Sequence, residues 1–153
     1  MGSNASVSRK ARPLEDAKAG RNYCLWLLGR REYSRAELIK KLTQRALEHA
    51  IAEEVVQRLV DEGLQSDQRC IEAVQRSAAA RGWSRRRMEQ KLRTQGIDPS
   101  EAPDHDLLSA ENEAARSRAL FDQWMAKTDG SYPAKRKVLA RLARRGFPVG
   151  HLF

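Results

Sequence analysis

Tyr33-Ser34-Arg35-Ala36-Glu37-Leu38-Ile39-Lys40-Lys41-Leu42-Thr43-Gln44-Arg45-Ala46-Leu47 has a counterpart fifty residues on, Trp83-Ser84-Arg85-Arg86-Arg87-Met88-Glu89-Gln90-Lys91-Leu92-Arg93-Thr94-Gln95-Gly96-Ile97. A third copy, at the same interval, keeps Pro133-Ala134, Val138, Arg141-Leu142 and Gly146-Phe147. Apolar residues four apart, then a small residue and another apolar one, describe a short helix that stops at a tight turn. Ser34 with Glu37 three residues on makes a capping box, and Ser84 caps without the reciprocal acid. Pro133 suits a first helical turn, where its missing N–H costs nothing. Gly96 and Gly146 stand where a left-handed terminator is needed. Ala46 adopts that conformation less cheaply, so the first copy is expected to end its helix differently.

Helices are expected to flank each central one. The first module reads as helices over 14–31, 34–45 and 50–62, the last stopped by Gly63. The second reads as Ser66-Asp67 capping a helix over 68–80, a break at Gly82, the repeated helix from Ser84, and a restart at Asp98-Pro99. Pro103 makes that last element short or irregular. The third has a long helix over 109–127, a turn at Asp129-Gly130-Ser131 and a helix over 133–145, its third helix absent or cut to one turn. The organisation expected is a disordered basic tail over 1–12 and helical repeats over 13–65, 66–108 and 109–153. The fold class is all-α, tandem three-helix repeats in an elongated, curved array.

The 153 residues carry a net charge of +9 and a pI near 10.1, a balance that favours polyanionic partners, nucleic acid or an acidic protein surface. The charge is uneven: 69–93 holds eight basic residues against two acids, 135–145 holds six with none, and 48–67 is acidic. Cys24 and Cys70 have no Cys-x-x-Cys spacing and lie in apolar helical stretches, as buried thiols do in a reduced, cytoplasmic protein. No apolar run approaches a membrane span and no apolar signal core opens the chain, so neither a membrane association nor export is expected. Asn4-Ala5-Ser6 then matches a glycosylation acceptor by chance.

The ordered set Arg31-Glu32-Tyr33-Ser34, Glu37-Leu38, Lys41-Leu42, Gly63-Leu64 with Asp67, Arg81-Gly82 and Leu92 leading to Gly96-Ile97 resembles the RecX regulators of the RecA recombinase. Leu142 with Arg145-Gly146-Phe147 is similar to that family's closing motif, and the resemblance covers roughly 14–150. It implies tandem three-helix repeats bound in the groove of the RecA filament on single-stranded DNA. Filament growth, and with it strand exchange, ATP hydrolysis and co-protease activity, would be limited. The chain departs from the family in carrying Cys70-Ile71 where Phe-Ala is usual, in Trp83-Ser84 where Gly is frequent, and in its short third module.

Two basic patches are the candidate partner-binding residues: Arg81, Arg85, Arg86, Arg87, Lys91 and Arg93, and Lys135, Arg136, Lys137, Arg141, Arg144 and Arg145. Guanidinium groups can fork onto phosphates or carboxylates, while some members of so wide a spread are simply solvated. Any DNA contact would be to phosphates, since no Asn or Gln stands poised for base readout. Trp26, Trp83, Trp124, Tyr23, Tyr33, Tyr132, Phe121 and Phe147 read mainly as core, with Trp83 the one left open for base stacking. Glu53, Glu54, Asp61, Glu62 and Asp67 lack metal-ligand spacing, His49, His105 and His151 are isolated, and no nucleotide-binding or nucleophile motif occurs. No enzyme activity, cofactor or metal is expected. A monomeric regulator of RecA is the leading reading. A nucleoid-type DNA-binding protein acting independently of RecA is the alternative, and a scaffold for another acidic partner a third.

Overall fold

The computed structural model describes residues 12–152; most of the expected tail, and Asn4 within it, lie outside them. Seven α-helices and three single 3₁₀ turns, with no strand, make up the described residues. They form two compact units divided between Ser66 and Asp67.

In the first unit, α1 (Ala17–Leu28), α2 (Arg35–Gln44) and α3 (His49–Asp61) enclose Cys24, Leu27, Leu38, Leu42, Leu47, Val56 and Leu59. Asp16 caps α1 by accepting from Ala19 N at 2.8 Å. The capping box of α2 is formed in full: Ser34 Oγ accepts from Glu37 N at 3.0 Å, and Ser34 N donates to Glu37 Oε1 at 3.2 Å. Cys24 is fully buried, and desolvation pushes its thiol up to about 11.

The expected difference at Ala46 is overturned. Ala46 takes φ 65°, while Leu47 N donates to Leu42 O at 3.2 Å and Ala46 N to Thr43 O at 3.1 Å. The same pair of bonds recurs at Gly96-Ile97, 3.0 and 3.0 Å, and at Gly146-Phe147, 3.2 and 2.9 Å. All three repeats therefore end in one Schellman turn. The buried apolar residue after the terminator (Leu47, Ile97 or Phe147) holds the turn closed, and at Ala46 it outweighs the conformational cost of a β-carbon.

The second unit holds α4 (Asp67–Arg81), α5 (Arg85–Thr94), α6 (Ala110–Met125) and α7 (Tyr132–Arg144). Cys70, Ile71, Val74, Met88, Leu92, Ile97 and Leu108 form one core cluster, and Val138, Leu139, Leu142, Phe147 and Leu152 another. The stretch after α5 is two 3₁₀ turns, Pro99–Glu101 and Asp106–Leu108, anchored by buried Leu108 and by Gln75 Nε2 donating to Pro103 O at 2.8 Å. Helix α7 begins before the position that the fifty-residue alignment gives: Ser131 is its cap, accepting from Ala134 N at 3.3 Å, and Pro133 falls in its first turn. A single turn, Gly150–Leu152, follows α7.

Two aromatics expected in the core are not there. Trp26 is 57% exposed, because α1 buries the side carrying Gly20, Cys24 and Leu27, and position 26 lies opposite. Tyr132 is 70% exposed in the first turn of α7, ahead of the buried Val138, Leu139 and Leu142.

Candidate partner-binding surface

The two apolar clusters of the second unit meet through polar groups. Ser84 Oγ accepts from Arg87 N at 3.1 Å, capping α5, and donates to Arg145 O at 3.0 Å at the end of α7. Ser84 N donates to the same carbonyl at 3.4 Å. The position matching the capping acid Glu37 is Arg87, and the acid comes instead from α6: Glu113 Oε1 accepts from Arg85 N at 3.1 Å. The positive end of α5 is thus set against the negative end of α7, a favourable pairing of helix dipoles. Arg145 Nη1 adds a bond to Arg81 O at 3.4 Å, and Arg116 Nη1 one to Trp83 O at 2.9 Å.

This junction opens a cleft of about 650 Å³, lined by Arg86, Arg87, Gln90, Glu113, Arg144 and the Gly146-Phe147-Pro148 turn. Three guanidinium groups face a single carboxylate, so the cleft is cationic. Arg87 is half-buried with its guanidinium 4.5 Å from the Trp83 ring centre, whereas Arg86 and Arg144 are exposed. Arg116 approaches Phe147 at 5.5 Å, and its Nε and Nη2 are buried without a hydrogen-bond partner. Burial pushes that guanidinium below its usual range, against the opposing pull of Glu113.

The structure sorts the twelve basic candidates by direction. Arg86, Arg87 and Arg144 are brought together at the cleft. Arg85 turns the other way, to Glu89 at 3.1 Å and Asp104 at 4.0 Å, and Arg93 approaches Glu89 at 3.9 Å. Arg81 lies near Trp83 at 5.6 Å, and Lys91 is exposed. On α7, Arg141 stacks 3.9 Å from the centre of Trp124 and Arg145 lies 5.1 Å from it, while Lys135 is 6.0 Å from Phe121. Arg136 and Lys137 are exposed. Lys137, Arg141 and Arg144 follow one face of α7 at four- and three-residue spacing, so Arg144 is where the two sequence patches join. Sequence reasoning missed Glu113 and Gln90 in the cleft and Arg116 at the junction beside it, because their placement depends on how α5, α6 and α7 pack.

Among the described residues no group of three or more His, Cys, Asp or Glu side chains could hold a metal ion, and no helix is long and apolar enough to cross a membrane.

The family description "RecX, first three-helix domain" matches residues 21–59, and "RecX, second three-helix domain" matches 66–102. The chain is 42% identical over 128 residues to a protein named Regulatory protein RecX from Xanthomonas axonopodis pv. citri, covering 80% of this chain and 76% of that one. It is 33% identical over 140 residues to the protein of the same name from Pseudomonas putida, covering 89% and 88%. The crystal structure of RecX from Lactobacillus salivarius superposes with a TM-score of 0.72 at 23% identity, over 87% of this chain and 89% of that one, a likeness of fold. With two repeat modules matched in order and relatives this similar over most of its length, the chain belongs to the RecX family of regulatory proteins.

Proposed function

We propose that this protein regulates RecA by docking along its filament on single-stranded DNA, limiting filament growth and so recombination, ATP hydrolysis and the SOS and repair responses that depend on it. The docking surface is the cationic cleft with the adjoining face of α7: Arg86, Arg87 and Arg144, then Arg141 and Lys137. The remaining candidates, Arg81, Arg85, Lys91, Arg93, Lys135, Arg136 and Arg145, flank or brace it. The observation that carries this reading is the convergence of Arg86, Arg87 and Arg144, from opposite ends of two helices, on one cleft in a RecX-family chain. Guanidinium forks suit filament carboxylates and DNA phosphates alike. The protein acts as a monomer in the cytoplasm and carries out no chemistry of its own.

The test is the rate of single-stranded-DNA-dependent ATP hydrolysis by RecA as the protein is titrated in at fixed salt, with DNA in excess of both proteins' binding capacity. Inhibition at protein levels well below those of RecA is expected. Arg86→Glu with Arg144→Glu should abolish it while helicity is kept, and Arg85→Glu with Arg93→Glu should leave most of it. No inhibition by the wild type, together with tight salt-sensitive binding to naked DNA, would instead favour a nucleoid-type protein acting independently of RecA.

A further inference from the structure

The first unit carries an exposed feature that the basic cleft does not account for. Lys18, Asn22 and Trp26 stand at four-residue intervals on the outer side of α1, about one helical turn or 6 Å apart, and Arg30 follows in the turn just beyond the helix; all four are exposed. Trp26 stacks on Tyr23 with ring centres 6.2 Å apart and planes 16° from parallel. Tyr23 in turn packs against the core and lies under the Arg45 guanidinium at 4.4 Å. Arg45 is itself fixed by donating Nε and Nη2 to Arg12 O at 2.9 and 2.7 Å. The indole is therefore supported from below while most of it faces water, with the Arg30 guanidinium 4.9 Å from its centre.

The surroundings decide what such a ring suits. A tryptophan that anchors a protein partner usually sits among apolar residues that exclude water. Here the stripe supplies two cations and an amide, with no acid, and Leu25 is the exposed apolar neighbour. Lys18 and Arg30 form no ion pair among the described residues, and the one contact recorded for the Arg30 guanidinium is with the Trp26 ring itself, so neither charge is neutralised by a carboxylate. An exposed, braced aromatic flanked by cations is the arrangement that holds unpaired bases by stacking and their phosphates by charge, with little dependence on sequence.

We propose that the outer face of α1, with the turn that follows it, binds single-stranded nucleic acid, an unpaired base stacking on Trp26 as the Arg30 guanidinium swings from the ring to a phosphate on one side and Lys18 engages a phosphate on the other. The site lies in a different unit from the cleft and does not need RecA, so its test stands apart from the reading above.

The experiment uses the full chain without RecA. Fluorescence anisotropy compares its affinity for a labelled oligothymidylate with that for an abasic oligomer of equal length and phosphate count. The wild type should bind the base-bearing strand about tenfold more tightly. Trp26→Ala should erase that preference, and Trp26→Phe should keep part of it, both with unchanged circular dichroism because the side chain lies outside the core. Equal affinity of the wild type for the two oligomers, or a preference that survives Trp26→Ala, overturns the proposal. So does a Trp26→Ala variant that keeps the preference but loses RecA inhibition, which would make this face a protein contact.

Discussion

Ala46 and Gly146 occupy equivalent turns at φ 65° and 88°, and substitutions there should move stability in opposite directions. A non-glycine residue in the left-handed region costs roughly 1–2 kcal/mol, part of which returns on Ala46→Gly against the greater freedom of the unfolded chain. Ala46→Gly should therefore stabilise the protein by about 0.5 kcal/mol, read as a higher urea midpoint at unchanged slope. Gly146→Ala faces two penalties. Its φ disfavours any side chain, and a methyl group there would fall inside contact distance of Ser84 Oγ and close to Arg87 N and Cβ. A loss of about 2–4 kcal/mol is expected. If Gly146→Ala were no more harmful than an exposed surface change, α7 would not end against α5 in the way described.

At the scale of helices, the second unit differs from the first in how α5 begins. Helix α2 closes its own capping box with Glu37, whereas α5 draws its partners from α6 and α7. Ser84 is fully buried and its hydroxyl serves two helix ends at once, accepting from Arg87 N and donating to Arg145 O. Ser84→Ala removes an N-cap and one donor to a partly buried carbonyl, a cost of about 2 kcal/mol. The effect should be local: chemical denaturation should show the lost stability, and amide exchange should quicken at the start of α5 and the end of α7. Unchanged exchange at Arg145 and Gly146 would mean that the serine contributes only as an ordinary cap. The same junction sets Arg86 and Arg144 across one cleft, so loosening it should also weaken the proposed inhibition of RecA.

For the whole molecule, the net charge of +9 makes association with any polyanion depend steeply on salt. Each cation that displaces a counterion from DNA adds roughly 0.7–0.9 to the slope of log affinity against log salt. Arg86→Glu with Arg144→Glu should thus flatten the slope for naked DNA by about two such increments if both residues meet phosphates. An unchanged slope would place DNA elsewhere on the surface and leave the cleft to protein carboxylates. Reversing Arg85 and Arg93, which already face Glu89, should alter the slope less.

The all-helical class and the recurring helix starts and stops at Ser34, Ser84, Gly96 and Gly146 were legible in the sequence, because period, caps and terminators act over a few neighbouring residues. The resemblance carried by those positions also pointed to the RecX family. Ala46 misled, since local preference disfavours its conformation and a more distant force, the burial of Leu47, settles it. Which arginines converge, which are held by Glu89, and that Trp26 faces water depended on how helices cross and on which side of each is covered. Those are matters of tertiary packing, in which residues 61 positions apart, such as Ser84 and Arg145, become partners that no sequence spacing announces.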